Sequence, residues 1–128
     1  MRPEGWGVGG DEVRTLTRPG HLYRGMSEAE WHFIQSHGVI RSNESGSFTG
    51  EGTNFGEDAE TAEDYANIGR FDPRKTGKPN YLVEVKKTDL FKRWRDGYWK
   101  APEVPKELIT RVWKMVGEGD EVIGYPVH

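Results

Sequence analysis

The hydrophobic period of this 128-residue chain changes once, near Pro79, and that change limits the folds open to it. Before it, apolar and small residues recur at three- and four-residue spacing. Ala29, Phe33 and Ile34 do so with Trp31 at the flank, and Ala59, Ala62, Tyr65 and Ala66 do so again, as in a helix that buries one face. After it, Tyr81, Val83 and Val85 alternate with Leu82 and Glu84, the period of a strand. Leu108 to Val116 reads as a further strand, and Gly117-Glu118-Gly119-Asp120 turns the chain into a last one, Glu121 to Val127. Two helices early and strands late, with no repeated βαβ rhythm, predict an α+β fold with a mainly antiparallel sheet. The pattern argues against a Rossmann domain. Gly50-Glu51-Gly52 is no dinucleotide fingerprint either, since it lacks the buried strand before it and sets a carboxylate where a pyrophosphate would lie.

Local signals sharpen the elements. His21-Leu22-Tyr23-Arg24-Gly25 reads as a short strand. Ser27-Glu28-Ala29-Glu30 follows with an oxygen-bearing side chain and a glutamate three residues later, the capping box of a helix expected over 28–37 with Gly38 as its stop. Asp58 caps the second helix, which Gly69 ends. Between them, residues 41–56 turn to Ser, Asn, Thr and Gly and predict a long surface loop, polar until Thr53-Asn54-Phe55; loops of this length are often functional. The first dozen residues, with Gly5, Gly7, Gly9 and Gly10 around Trp6, have no usable period and are expected as a flexible N-terminal arm, 1–12. Residues 13–128 then form a single domain, as the length suggests.

Composition narrows the chemistry. There is no cysteine, so disulfide frameworks, thiolate metal sites and cysteine nucleophiles drop out. His32 and His37 are five apart on a helix and so on different faces, which does not make a zinc pair, and no metal is expected. The longest unbroken apolar run is Tyr81-Leu82-Val83, far short of the roughly 18 residues a membrane span needs, and no signal-like segment follows Met1-Arg2; a soluble, cytoplasmic protein is expected. The net charge of −3 divides unevenly: residues 1–64 hold 5 Lys+Arg against 12 Asp+Glu, and residues 65–128 hold 13 against 9. The second half is a basic surface, or a docking face for an acidic or nucleic-acid partner.

One constellation carries chemistry. Leu22-Tyr23-Arg24-Gly25 at a strand end is followed by a helix, a polar loop, Thr53-Asn54-Phe55, and the helical run Glu60-Thr61-Ala62-Glu63-Asp64-Tyr65-Ala66. This order resembles the ADP-ribosyltransferase family, whose first motif is an aromatic, then Arg or His, then Gly, and whose second is a short strand followed by a helix of A-x-x-Y/F-A type. The resemblance implies an ADP-ribosyltransferase-like α+β fold, two short helices packed with a mainly antiparallel split sheet, and NAD as the substrate. It implies that Arg24 binds NAD, that backbone groups at Gly25 hold the nicotinamide amide, that Thr53, Asn54 and Phe55 stand near the second-motif position, and that Tyr65 stacks on the nicotinamide ring. These roles are physically sound. A guanidinium forks onto phosphate or ribose oxygens, and an electron-rich ring stacks on a cationic one. Arg24 could equally pair with a carboxylate, and Tyr65 stands at a position a helical core could use.

The family also keeps a catalytic glutamate before a P-x-P-x-E-x-I turn, to which Pro102-Glu103-Val104-Pro105-Lys106-Glu107-Leu108-Ile109 is similar. Counting back places the catalytic position near Gly97, where the nearest acid is Asp96; Glu103 is the displaced equivalent. The expected activity is transfer of ADP-ribose to a macromolecular acceptor, protein or nucleic acid, with release of nicotinamide. The rivals are transfer to a small molecule, NAD hydrolysis or an RNA phosphotransferase-type reaction on the same fold, and a non-catalytic relative that binds a protein through its basic half.

Overall fold

Capping chemistry sets the first helix. In a computed structural model that describes residues 9–41 and 52–127, helix α1 (Glu28–His37) begins where the Ser27 hydroxyl accepts from the Glu30 N–H, and ends at Gly38 in the left-handed conformation. Helix α2 (Ala59–Ala66) starts at Asp58, whose carboxylate accepts from Thr61 N–H. It stops at Asn67, two residues before Gly69. A third short helix, α3 (Pro73–Thr76), was not expected; Asp72 caps it and proline, which needs no N–H partner there, opens it.

The strands are β1 (Asp11–Glu12), β2 (His21–Met26), β3 (Val39–Ile40), β4 (Thr53–Gly56), β5 (Asn80–Lys86), β6 (Lys92–Arg95), β7 (Tyr98–Ala101), β8 (Val104–Pro105), β9 (Ile109–Glu118) and β10 (Glu121–Pro126). Eight of them form one sheet in the order β1-β10-β9-β5-β2-β4-β7-β6, while β3 and β8 pair separately. Every pairing is antiparallel, so the expected α+β class with an antiparallel sheet holds. Asp11 and Glu12 pair with Gly124 and Ile123, which draws this end of the expected arm into the sheet; residues 1–8 lie outside the described residues. So do 42–51 of the expected polar loop. No helix among the described residues is long and apolar enough to cross a membrane.

Alternation divides the core between the two faces of the sheet. Leu22, Met26, Val83, Val85, Phe55 and Val112 pack with Ile34 of α1, while Tyr23, Leu82, Trp113 and Met115 pack with Ala59 and Ala62 of α2. On α1 itself Ile34 is buried and Ala29 is exposed; Trp31, read as a flank, instead stacks on Tyr81 with ring centroids 5.7 Å apart. Helix α2 lies so close to β2 that a Cβ on Gly25 would meet the Ala62 carbonyl oxygen at 2.3 Å and the Ala66 Cβ at 2.6 Å. Only glycine fits there.

A polar knot pins β2 on that same face. Glu84, with none of its side chain exposed, accepts from Tyr23 Oη at 2.7 Å, Thr110 Oγ1 at 2.7 Å, Arg18 at 2.8 Å and Arg111 Nε at 2.9 Å. Burial pushes this carboxyl up, but the donors from Arg111, Arg18, Thr110 and Tyr23 outweigh it and hold the pKa at about 2. Tyr23, pushed up to about 12 by burial and by its bond to that carboxylate, stays a phenol.

Candidate functional site

Strands β2 and β4 are neighbours in the sheet, yet their pairing holds at one position, Tyr23↔Gly56. From there they diverge, and a cavity of about 190 Å³ opens in the gap. Its lining includes Tyr23, Arg24 and Gly25 from β2, Asn54, Phe55 and Gly56 from β4, Tyr65 from α2, and Trp94 and Tyr98 from the β6–β7 hairpin. The volume is below the roughly 300–1,000 Å³ of pockets that enclose a drug-sized ligand. It suits one ring system, with the rest of a larger ligand outside.

The sequence-predicted site residues divide here. Arg24, Gly25, Asn54, Phe55 and Tyr65, distant in sequence, come together on this cavity. Thr53 is buried and does not line it. Asp96 lies on the hairpin turn with its side chain 99% exposed, ion-paired with Arg93. Glu103 pairs with Arg41 at 2.7 Å. Neither acid is among the lining residues, and among the described residues no Asp or Glu is.

Arg24 is held firmly. Its Nε and one terminal nitrogen donate to the two carboxylate oxygens of Glu30 at 2.7 and 2.9 Å, and its other terminal nitrogen reaches across the gap to the Asn54 carbonyl at 3.0 Å. Both side chains are mostly buried, 16% and 12% exposed. This bidentate geometry fixes the guanidinium and neutralises it. Glu30, the glutamate three residues after Ser27 in the expected capping box, thus turns its carboxylate to Arg24.

Tyr65 is 48% exposed and is not a core residue. It meets Tyr98 edge to face, with centroids 5.8 Å apart and planes at 85°, and Trp94 leans on Tyr98 at 5.7 Å. Arg95 lies over both hairpin rings, 4.3 Å from the Tyr98 centroid and 5.0 Å from that of Trp94. The Trp94 indole N–H is buried without a hydrogen-bond partner among the described residues, whereas that of Trp99 donates to Glu57 at 2.7 Å. An unpaired buried donor is costly and uncommon in folded proteins.

Reading the sequence missed the hairpin wall. The signal was present in Lys92-Arg93-Trp94-Arg95 and Tyr98-Trp99-Lys100-Ala101 flanking Asp96-Gly97, a two-residue turn of the kind that joins hairpin strands. A register shift between Arg93 and Arg95 bulges β6 at Trp94, and bulges of this kind re-aim side chains. Among the described residues, no group of three or more His, Cys, Asp or Glu could hold a metal ion.

Comparison with models of known protein families found no match to this chain, and searches of curated proteins and of solved structures found none.

Proposed function

We propose that the chain has an ADP-ribosyltransferase-like fold, binds NAD with the nicotinamide ring in the cavity between β2 and β4, and transfers ADP-ribose to a macromolecular acceptor. The observation that carries this reading is the convergence of Arg24, Gly25, Asn54, Phe55 and Tyr65 on one cavity sized for a ring. The half-exposed Tyr65 offers a face to a cationic nicotinamide, and Arg24, its fork taken by Glu30 and the Asn54 carbonyl, is left to meet ribose or amide oxygens with its remaining N–H groups at the cavity. In the reaction the bond from the ribose C1′ to the nicotinamide nitrogen breaks and its electron pair neutralises the ring. An acceptor nucleophile bonds to C1′ and loses its proton to solvent or a nearby base. A carboxylate near the ribose would stabilise the positive charge that develops on it, the role proposed for Asp96 or, in its place, Glu103, both of which stand outside the cavity lining.

The absence of an acid from the lining among the described residues favours a second reading, a non-catalytic relative that binds the nucleotide or a protein without turning NAD over. Nicotinamide release from NAD in the presence of cell extract separates the two. On the first reading wild type releases nicotinamide and labels a macromolecule, Tyr65→Ala and Arg24→Ala do so weakly, and Asp96→Asn or Glu103→Gln loses turnover while still binding NAD. Binding without release supports the second reading. Free ADP-ribose as the sole product would indicate a hydrolase, and neither binding nor release would end the NAD proposal.

A further inference from the structure

Cross-strand partners in an antiparallel sheet share a face, so register alone orders the wall beside the cavity. Asn54, Lys100 and Lys92 form one row across β4, β7 and β6, and Gly56, Tyr98 and Arg95 form the next. Asn54, Gly56 and Tyr98 line the cavity, which places the three cations on the same face, alongside it. Lys92 and Lys100 stand directly opposite each other, an arrangement that costs stability unless an anion joins them. Arg93, the remaining cation of this hairpin, is paired with Asp96. Lys92, Arg95 and Lys100 have no carboxylate partner among the described residues. Lysine on an edge strand guards against pairing with other sheets. That explains Lys92, but not Lys100 on the interior strand β7 or Arg95 laid over two rings of the cavity wall.

We propose that this face of the β6–β7 hairpin, carrying Lys92, Arg95 and Lys100, is the anion site of the cavity and holds the pyrophosphate of a nucleotide whose ring lies inside. The ring's identity rests on the NAD reading; the phosphate site rests on the hairpin's own charges. Two features of the structure fit together in it. The cavity has room for a ring but not for a dinucleotide, so the phosphates lie at its mouth. The arginine inside, Arg24, is already neutralised by Glu30 and is poorly placed to balance them, whereas Arg95 sits at the wall with its charge unopposed. Arg24 then orients the ligand and Arg95 supplies charge.

Calorimetric titration of the full chain with NAD, ADP-ribose and benzamide, a ring amide without phosphate, tests this. Arg95→Gln and Lys100→Gln should each weaken NAD and ADP-ribose by about tenfold, the scale of a lost charge-assisted hydrogen bond, and leave benzamide unchanged. NAD affinity should fall as salt rises, and Lys75→Gln, an exposed lysine on α3, should change nothing. Unchanged melting temperatures would show that the hairpin variants fold. If NAD fails to bind but ADP-ribose binds with the same losses, the hairpin site stands and the nicotinamide assignment falls. The proposal is overturned if both hairpin variants bind NAD and ADP-ribose as wild type does, if no phosphate-bearing probe binds wild type, or if the variants lose affinity only for a single-stranded oligonucleotide.

Discussion

Two Arg–Glu sites flank β2, and they are built to opposite ends. At Glu84 every strong donor in reach converges on one buried carboxylate, with Arg18, Arg111, Thr110 and Tyr23 all engaged. At the cavity Arg24 and Glu30 satisfy each other, but the surrounding wall does not close. Among the described residues the Trp94 N–H has no partner, Tyr65 stands half in solvent, and three hairpin cations lack a counter-charge. Buried polar groups in a purely structural setting are normally paired. The contrast teaches where to look for a ligand: unmet valence, more than charge itself, marks the cavity.

The largest expected effect lies on the satisfied side. Glu84→Gln leaves the partly exposed Arg18 and Arg111 facing a neutral amide, and denaturant unfolding should show a loss of about 3 kcal/mol. Acid should reproduce part of it. Glu84 titrates at about 2 in the folded chain, against an ordinary 4.5. Its contribution is therefore complete above pH 4.5 and is lost as pH falls toward 2, on the order of 3 kcal/mol. Glu63 runs the other way. Burial, with Asp64 beside it, raises its pKa from 4.5 to about 7, so the folded chain holds an extra proton between those values and stability falls as pH climbs through them. Thermal melts across pH 2–8 on wild type and Glu63→Gln check both slopes; a Glu63→Gln variant with an unchanged slope between pH 4.5 and 7 would sink the second.

Gly25→Ala comes next, because it forces a methyl into the Ala62 carbonyl. A cost of about 1–3 kcal/mol is expected from such overpacking, and the chemical-denaturation midpoint measures it. Tyr65→Ala inverts the comparison. At 48% exposure its loss should leave stability within about 1 kcal/mol while weakening NAD binding by about 0.5–2 kcal/mol. Calorimetry beside a melt on the same variant separates ligand contact from packing. Smallest of all is the stability effect of Asp96→Asn, within about 0.5 kcal/mol for so exposed a side chain. Its effect on turnover, expected at roughly 10²–10³-fold if the carboxylate acts in the transition state, should stand apart from any effect on folding.

How much of this could be read in the sequence follows from the range of the interactions involved. The caps at Ser27 and Asp58, the stop at Gly38 and the alternation over 81–85 are set by neighbours within a few residues, and each lies where it was expected. Strands β6 and β7 went unread because their residues are polar or aromatic and half exposed, which gives no clean alternation. The pairing of Glu84 with Arg18 and Arg111 spans 66 and 27 residues, and no local pattern announces it. At the site, the grouping of Arg24 with Tyr65 came from motif order. The Trp94–Tyr98 wall needed the sheet's register and a bulge, and the Arg24–Glu30 pair the way α1 meets β2.

The gap between β2 and β4 rests on one rung of pairing, and α2 bridges it underneath, its Ala62 against Gly25 on one side and near Gly56 on the other. Both supports are contacts of a helix with bare backbone. The span of the cleft is thus set largely by main chain and by two missing side chains, with the Arg24 guanidinium tying its edges at the Asn54 carbonyl. Tyr65, Trp94 and Tyr98 line that opening from α2 and the hairpin and do not themselves join β2 to β4. Selection acting on this protein could retune what enters the cleft while leaving its dimensions alone.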